Sequence, residues 1–127
     1  MRFVYLLLLT ISFNTIYAQD DYYQNVKNIS FFQNDILLNE EIVFQTYTID
    51  KESYEVLHLD GKTFIKAKII GGNTLYFFQD VNLYFQNAKF NDLKDLFKYI
   101  TYYNVFDENL SVDKVKLVKF LSEYNQF

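Results

Sequence analysis

His58 is the only histidine in the chain, so any imidazole chemistry would have to pass through it. Ser53 and Asp60 lie close by in sequence, and serine, imidazole and carboxylate are the parts of an activated hydroxyl nucleophile. The spacing defeats that set: Ser53 and His58 are five apart on one extended run and point to opposite faces of a strand. Beside a tight turn and across from Thr63, His58 reads as a solvated or hydrogen-bonded strand residue. Cysteine is absent, which excludes thiolate nucleophiles, thiolate metal sites and disulfides. Paired carboxylates can hydrolyse glycosides, and Glu40-Glu41, Glu52 with Glu55, and Asp107-Glu108 are the available pairs. Adjacent acids in polar breaks are ordinarily solvated turn residues. Asp107, Glu108, Asn109 and Asp113 lack the central glycine and ligand spacing of a calcium loop. No residue is expected to act as a catalyst or metal ligand, and no cofactor is expected.

Two other groups of side chains suit contact rather than catalysis. Lys62, Lys66 and Lys68 are expected on the outer face of one strand, an anion-binding row or the usual lysine protection of a strand edge. Tyr22, Tyr23, Tyr84 and Tyr102 are the tyrosines least accounted for by an apolar stripe, and exposed tyrosine is a common interface residue. Asn28-Ile29-Ser30 and Asn109-Leu110-Ser111 match the N-glycosylation pattern, which matters only in a eukaryotic host.

The element that must position these residues is Tyr54 to Ile70, two apolar-rich runs separated by Asp60-Gly61, a strong hairpin signal. A two-residue turn at Asp60-Gly61 opposes Leu59 to Lys62, Leu57 to Phe64 and Glu55 to Lys66 on one face. It places His58 with Thr63, Val56 with Ile65 and Tyr54 with Ala67 on the other. A Glu–Lys pair and an aliphatic pair directly across the strands support this register. The face of Tyr54, Val56, Ile65, Ala67 and Ile69 is then the core side, and Leu57 and Phe64 lie on the wetter one.

Around the hairpin the chain reads as strands first and helices last. Val26 to Gln33 and Ile42 to Ile49 are expected strands, while Ile36 to Leu38 is too short to assign. Gln19 to Asn28 reads as a loose polar segment. After Gly71-Gly72-Asn73, the runs 74–79 and 81–86 form two short strands turning at Gln79-Asp80 or one long strand with a bulge. From Asn91 the period becomes helical: Leu93, Leu96, Phe97, Ile100 and Tyr103 make one stripe, opposite Lys94, Asp95, Lys98 and Thr101. Asn91 and Ser111 are the expected N-caps of two helices, the second reaching about Tyr124 with Leu117, Val118, Phe120, Leu121 and Tyr124 on one arc. The fold class is α+β: an N-terminal antiparallel meander of about five to six strands, followed by two C-terminal amphipathic helices on one sheet face.

Arg2, the apolar run Phe3 to Ile11 and the small residue Ala18 read as an export signal over 1–18, leaving one domain over 19–127. The apolar run is shorter than the roughly 20 residues that span a bilayer and is interrupted by Thr10, Ser12 and Asn14. Such a signal, ending in Ala18 with Gln19 following, resembles those of Gram-negative exported proteins. Without Arg2 the chain carries 11 lysines against 16 acids, net −5 with His58 neutral, which argues against nucleic acid as a partner. Phe and Tyr make up 20% of the residues, with neither Trp nor Pro.

The expected function is accordingly a small exported non-enzymatic protein of the bacterial periplasm or extracellular space that binds a protein or a surface ligand. It would not be an integral membrane protein once the signal is removed. Two alternatives are a carrier with an apolar pocket between sheet and helices, lined by Phe77, Phe85, Phe97 and Phe120, and a small carboxylate-dependent hydrolase. A flat tyrosine patch over a filled core would favour the binding protein.

Overall fold

Nearly every strand of this chain turns back on the one before it, because the connections are short and hold residues at positive φ. The computed structural model describes residues 23–127. The export signal expected over 1–18, and Tyr22, lie outside the described residues. Strands β1 (Ile29–Phe32), β2 (Asp35–Leu38), β3 (Glu41–Thr48), β4 (Ser53–His58), β5 (Thr63–Ile70), β6 (Asn73–Phe78) and β7 (Leu83–Phe85) form one antiparallel sheet in sequence order. A short 3-10 turn at Ala88–Phe90 leads to helices α1 (Leu93–Tyr102) and α2 (Lys114–Tyr124). This is the expected α+β meander, with seven strands instead of five or six.

The extra strand is β2, held on both sides by neighbours that a three-residue apolar run does not reveal. Asn39 and Glu40, with φ of 51° and 68°, make the two-residue β2–β3 turn. Gly71 and Gly72, at 58° and 82°, make the β5–β6 turn, where glycine meets the positive φ at both positions without steric cost. Asp60-Gly61 is different. His58 N–H donates to Lys62 and Gly61 N–H donates to His58, so the loop is Leu59-Asp60-Gly61 with only Gly61 at positive φ. A three-residue loop of this kind follows the right-handed strand twist with a single glycine.

That loop changes the register at the turn end of the central hairpin. Tyr54–Ala67, Glu55–Lys66 and Val56–Ile65 pair as expected, but Leu57 then opposes Thr63, so Phe64 is the extra residue of a bulge. Phe64 is therefore not on the wetter face. It is fully buried with Ile65, and its ring stacks on Phe44 at 4.8 Å between centroids. The aromatic ring gains far more from the core than strict alternation would have given it.

Both helices lie on one face of the sheet. Phe97 of α1 packs edge-on against Phe31 of β1 and Phe44 of β3, and stacks on Phe106 of the connecting segment. Phe120 of α2 packs against Phe85 of β7 and against Phe90. Leu96, Phe97, Ile100, Leu117, Phe120 and Leu121 are buried as the helical period required, whereas Tyr103 and Val118 of the expected stripes lie at the edge of the packed face and are exposed. Thr101, expected on the solvent side, is also buried; its hydroxyl donates to the Lys98 carbonyl, which removes the cost of hiding it.

Both N-caps shift from the expected residue. Asp92 caps α1 and Asp113 caps α2, each accepting from a backbone N–H in the first turn. Asn91 instead receives the Thr74 N–H, and Ser111 N–H donates to Asp107. The segment before β1 is not loose: Val26 is buried, and the Asn25 side chain donates to the Phe106 carbonyl. No helix among the described residues is long and apolar enough to cross a membrane.

Candidate functional site

With both helices on one face, the other face of the sheet is left open. Alternation along the strands puts Tyr47, Glu55, Leu57, Lys66, Lys68, Leu75, Phe77 and Tyr84 on it. Cross-strand neighbours Phe77 and Tyr84 hold their rings 4.7 Å apart, and Phe127 extends the aromatic row to Tyr84 at 5.8 Å. Beside them is a groove of about 530 Å³ lined by Ile49, Ser53, Glu55, Lys66, Lys68, Leu75, Phe77 and Tyr84. Tyr84 is 51% exposed and Tyr47 59%. Tyr84, Lys66 and Lys68, three of the contact residues expected from sequence, thus share one groove.

Lys62 does not belong to this row. It opposes His58 and not Leu59, and the bulge at Phe64 puts it out of step with Lys66 and Lys68. Glu55 lies directly across from Lys66, but its carboxylate accepts from the Thr63 hydroxyl at 2.9 Å. Among the described residues no carboxylate comes within 4.0 Å of the Lys66 or Lys68 ammonium. The groove is therefore aromatic on one side, and the other side carries two lysines and the Glu55 carboxylate.

Tyr102 and Tyr23 lie elsewhere. Tyr102, on α1, lines a second groove of about 510 Å³ with Val26, Lys27, Ile29, Lys98 and Tyr99. The Lys27 ammonium sits 5.5 Å from the centre of the Tyr23 ring.

His58 has a partner that local sequence could not supply. Its Nε2 lies 3.1 Å from the Oδ2 of Asp80, 22 residues on, in the β6–β7 turn. Its ring also packs 5.2 Å from Phe64 and 5.3 Å from Phe44. Among the described residues no serine or threonine hydroxyl is hydrogen-bonded to it, so the pair has no nucleophile to activate. Of the paired carboxylates, Glu55 accepts from the Thr63 hydroxyl, and Asp107 accepts from the N–H groups of Asn109 and Ser111. Glu41 and Glu108 line a shallow polar hollow, but both are exposed. Among the described residues no three metal-ligating side chains cluster.

The aromatics named for a carrier pocket do not line one together. Phe85 and Phe120 are buried against each other, Phe97 is buried against Phe44, and Phe77 faces the opposite side of the sheet. Buried Tyr76 and half-buried Tyr54 add polarity to this core. The Tyr76 hydroxyl donates to the Phe90 carbonyl at 2.5 Å, and burial, helped by nearby Tyr54, raises its pKa well above the tyrosine range. Tyr54 is raised for the same leading reason.

The fold and this face together define an α+β meander with one sheet face packed on two helices and the other open. Comparison of the chain with protein-family models, curated proteins and solved structures gives no match.

Proposed function

We propose that this chain is a small exported, non-enzymatic binding protein of the bacterial envelope or extracellular space, and that it engages a protein partner through the open face of its sheet. The observation that carries this reading is the groove in which Phe77, Tyr84 and Leu75 lie beside Lys66 and Lys68. Aromatic side chains with an apolar body and a polar tip, next to unpaired cations, suit a partner surface offering an apolar ridge and carboxylates. Export rests on Arg2, Phe3 to Ile11 and Ala18.

The test is affinity capture from envelope extract, run in parallel with the native protein and with a Tyr84→Ala, Lys66→Glu, Lys68→Glu variant. The native protein retains a specific protein, and the variant, still folded by circular dichroism, loses it. Recovery of no specific partner, or equal recovery with the variant, overturns the reading. Intact-mass measurement of the processed chain tests export separately: a mature protein still carrying Met1 overturns it.

A further inference from the structure

The two edges of the sheet are treated differently. At β7 the C-terminal tail closes the edge: Asn125 donates to the Tyr84 carbonyl and accepts from Gln86 N–H, and Gln126 N–H donates to the Gln86 carbonyl. At β1 no described residue does this. The Asn28 carbonyl accepts from Asn39 N–H, and the Phe32–Asp35 pair closes the two-residue turn. In an antiparallel ladder every second residue bonds inward, so Ser30 and Phe32 face β2 while Ile29 and Phe31 turn their N–H and C=O groups to the open edge. Unpaired groups of this kind are a template for another strand.

Natural edges are commonly blunted by a lysine or a proline on the strand itself. β1 has neither, and its Phe32 is 65% exposed. The cations are on α1 instead. Lys94 and Lys98 are one helical turn apart, the Lys94 ammonium lies 5.8 Å from the Phe31 ring centre, and Lys98 and Tyr102 line the groove that runs from Ile29 to α1. A strand laid along β1 would point alternate side chains toward the side of α1 that carries Lys94 and Lys98.

We infer that the β1 edge accepts an extended acidic segment of another protein, added as an eighth strand. Ile29 and Phe31 supply its main-chain hydrogen bonds, while Lys94 and Lys98 select acidic side chains on its helix-facing side. A second copy of this chain fits less well, because antiparallel pairing of two β1 edges brings two identical lysine pairs to the same side. This site is separate from the groove of the open face, so either can fail without the other.

The experiment titrates the isotope-labelled protein with a short peptide of alternating valine and glutamate, and with its valine–lysine counterpart, by amide NMR and hydrogen exchange. The acidic peptide shifts and protects the Ile29 and Phe31 amides, and the basic peptide does not. Lys98→Glu weakens binding by at least about fivefold. Ile29→Pro removes an outward N–H without touching the β2 ladder, and abolishes protection at Phe31. The inference is overturned by equal binding of both peptides, by shifts confined to other residues, by an affinity unchanged in Lys98→Glu, or by Ile29 and Phe31 amides already protected in the free protein.

Discussion

His58 and Asp80 join the turn end of the β4–β5 hairpin to the β6–β7 turn through a hydrogen bond of 3.1 Å between Nε2 and Oδ2. Both side chains are mostly covered, at 27% and 20% exposure, so solvent competes with the bond only in part. A double-mutant cycle with His58→Ala and Asp80→Ala is expected to give a coupling of about 0.5–1.5 kcal/mol in urea unfolding. Strict additivity of the two single variants would show that the contact contributes nothing.

Phe97 ties α1 into the aromatic core, touching Phe31, Phe44, Phe64 and Phe106. Phe97→Ala is expected to cost about 3–5 kcal/mol, a large part of the stability of a domain this size. Tyr102→Ala, five residues further along α1 and 58% exposed, is expected to shift the unfolding free energy by less than about 0.5 kcal/mol. Chemical denaturation of the two variants compares them directly.

Asn39 does two jobs at one turn. Its backbone takes φ of 51°, and its side chain accepts from Lys27 N–H and donates to the Asn25 carbonyl. Asn39→Ala loses both the tolerance of positive φ and those bonds, whereas Gly61→Ala meets open space and only the conformational strain. The first is expected to destabilise by about 2 kcal/mol and the second by about 1 kcal/mol. A smaller effect at Asn39 than at Gly61 in thermal unfolding would remove the side chain from this account.

Tyr76 and Tyr54 make stability fall at high pH. Burial holds both phenols protonated in the folded protein, so their folded pKa values stand above the unfolded value of about 10. Below that pH both states are protonated and the contribution is whole. As pH rises past it, the unfolded chain releases protons first, and stability declines by up to about 1.4 kcal/mol per unit for each group. Tyr76→Phe is expected to flatten this alkaline decline, while costing about 1–3 kcal/mol at neutral pH by leaving the Phe90 carbonyl without its donor. Unfolding free energies of both proteins from pH 8 to 11.5 check the difference; parallel slopes would assign the decline to other groups.

Local pattern in the sequence determined the class of this protein. Alternation over Tyr54 to Val56 and Ile65 to Ala67 set the inner part of the central register, and the helical recurrence of Leu93, Leu96, Phe97 and Ile100 set the buried stripe of α1, because strand and helix periods are properties of short runs. A tyrosine outside the apolar stripes and lysines two apart on one strand also marked Tyr84, Lys66 and Lys68 for contact. Tertiary structure decided the rest. The bulge at Phe64 follows from the pull of Phe44, Phe97 and Phe106 on one ring, a many-body packing preference that a two-strand register cannot contain. The partner of His58 lies 22 residues away, and the Glu55 carboxylate chose Thr63 over Lys66 only once the bulge had moved Thr63 opposite Leu57. Which sheet face stays open, and which edge the tail closes, depend on where the helices and Asn125 settle, contacts between segments far apart in the chain.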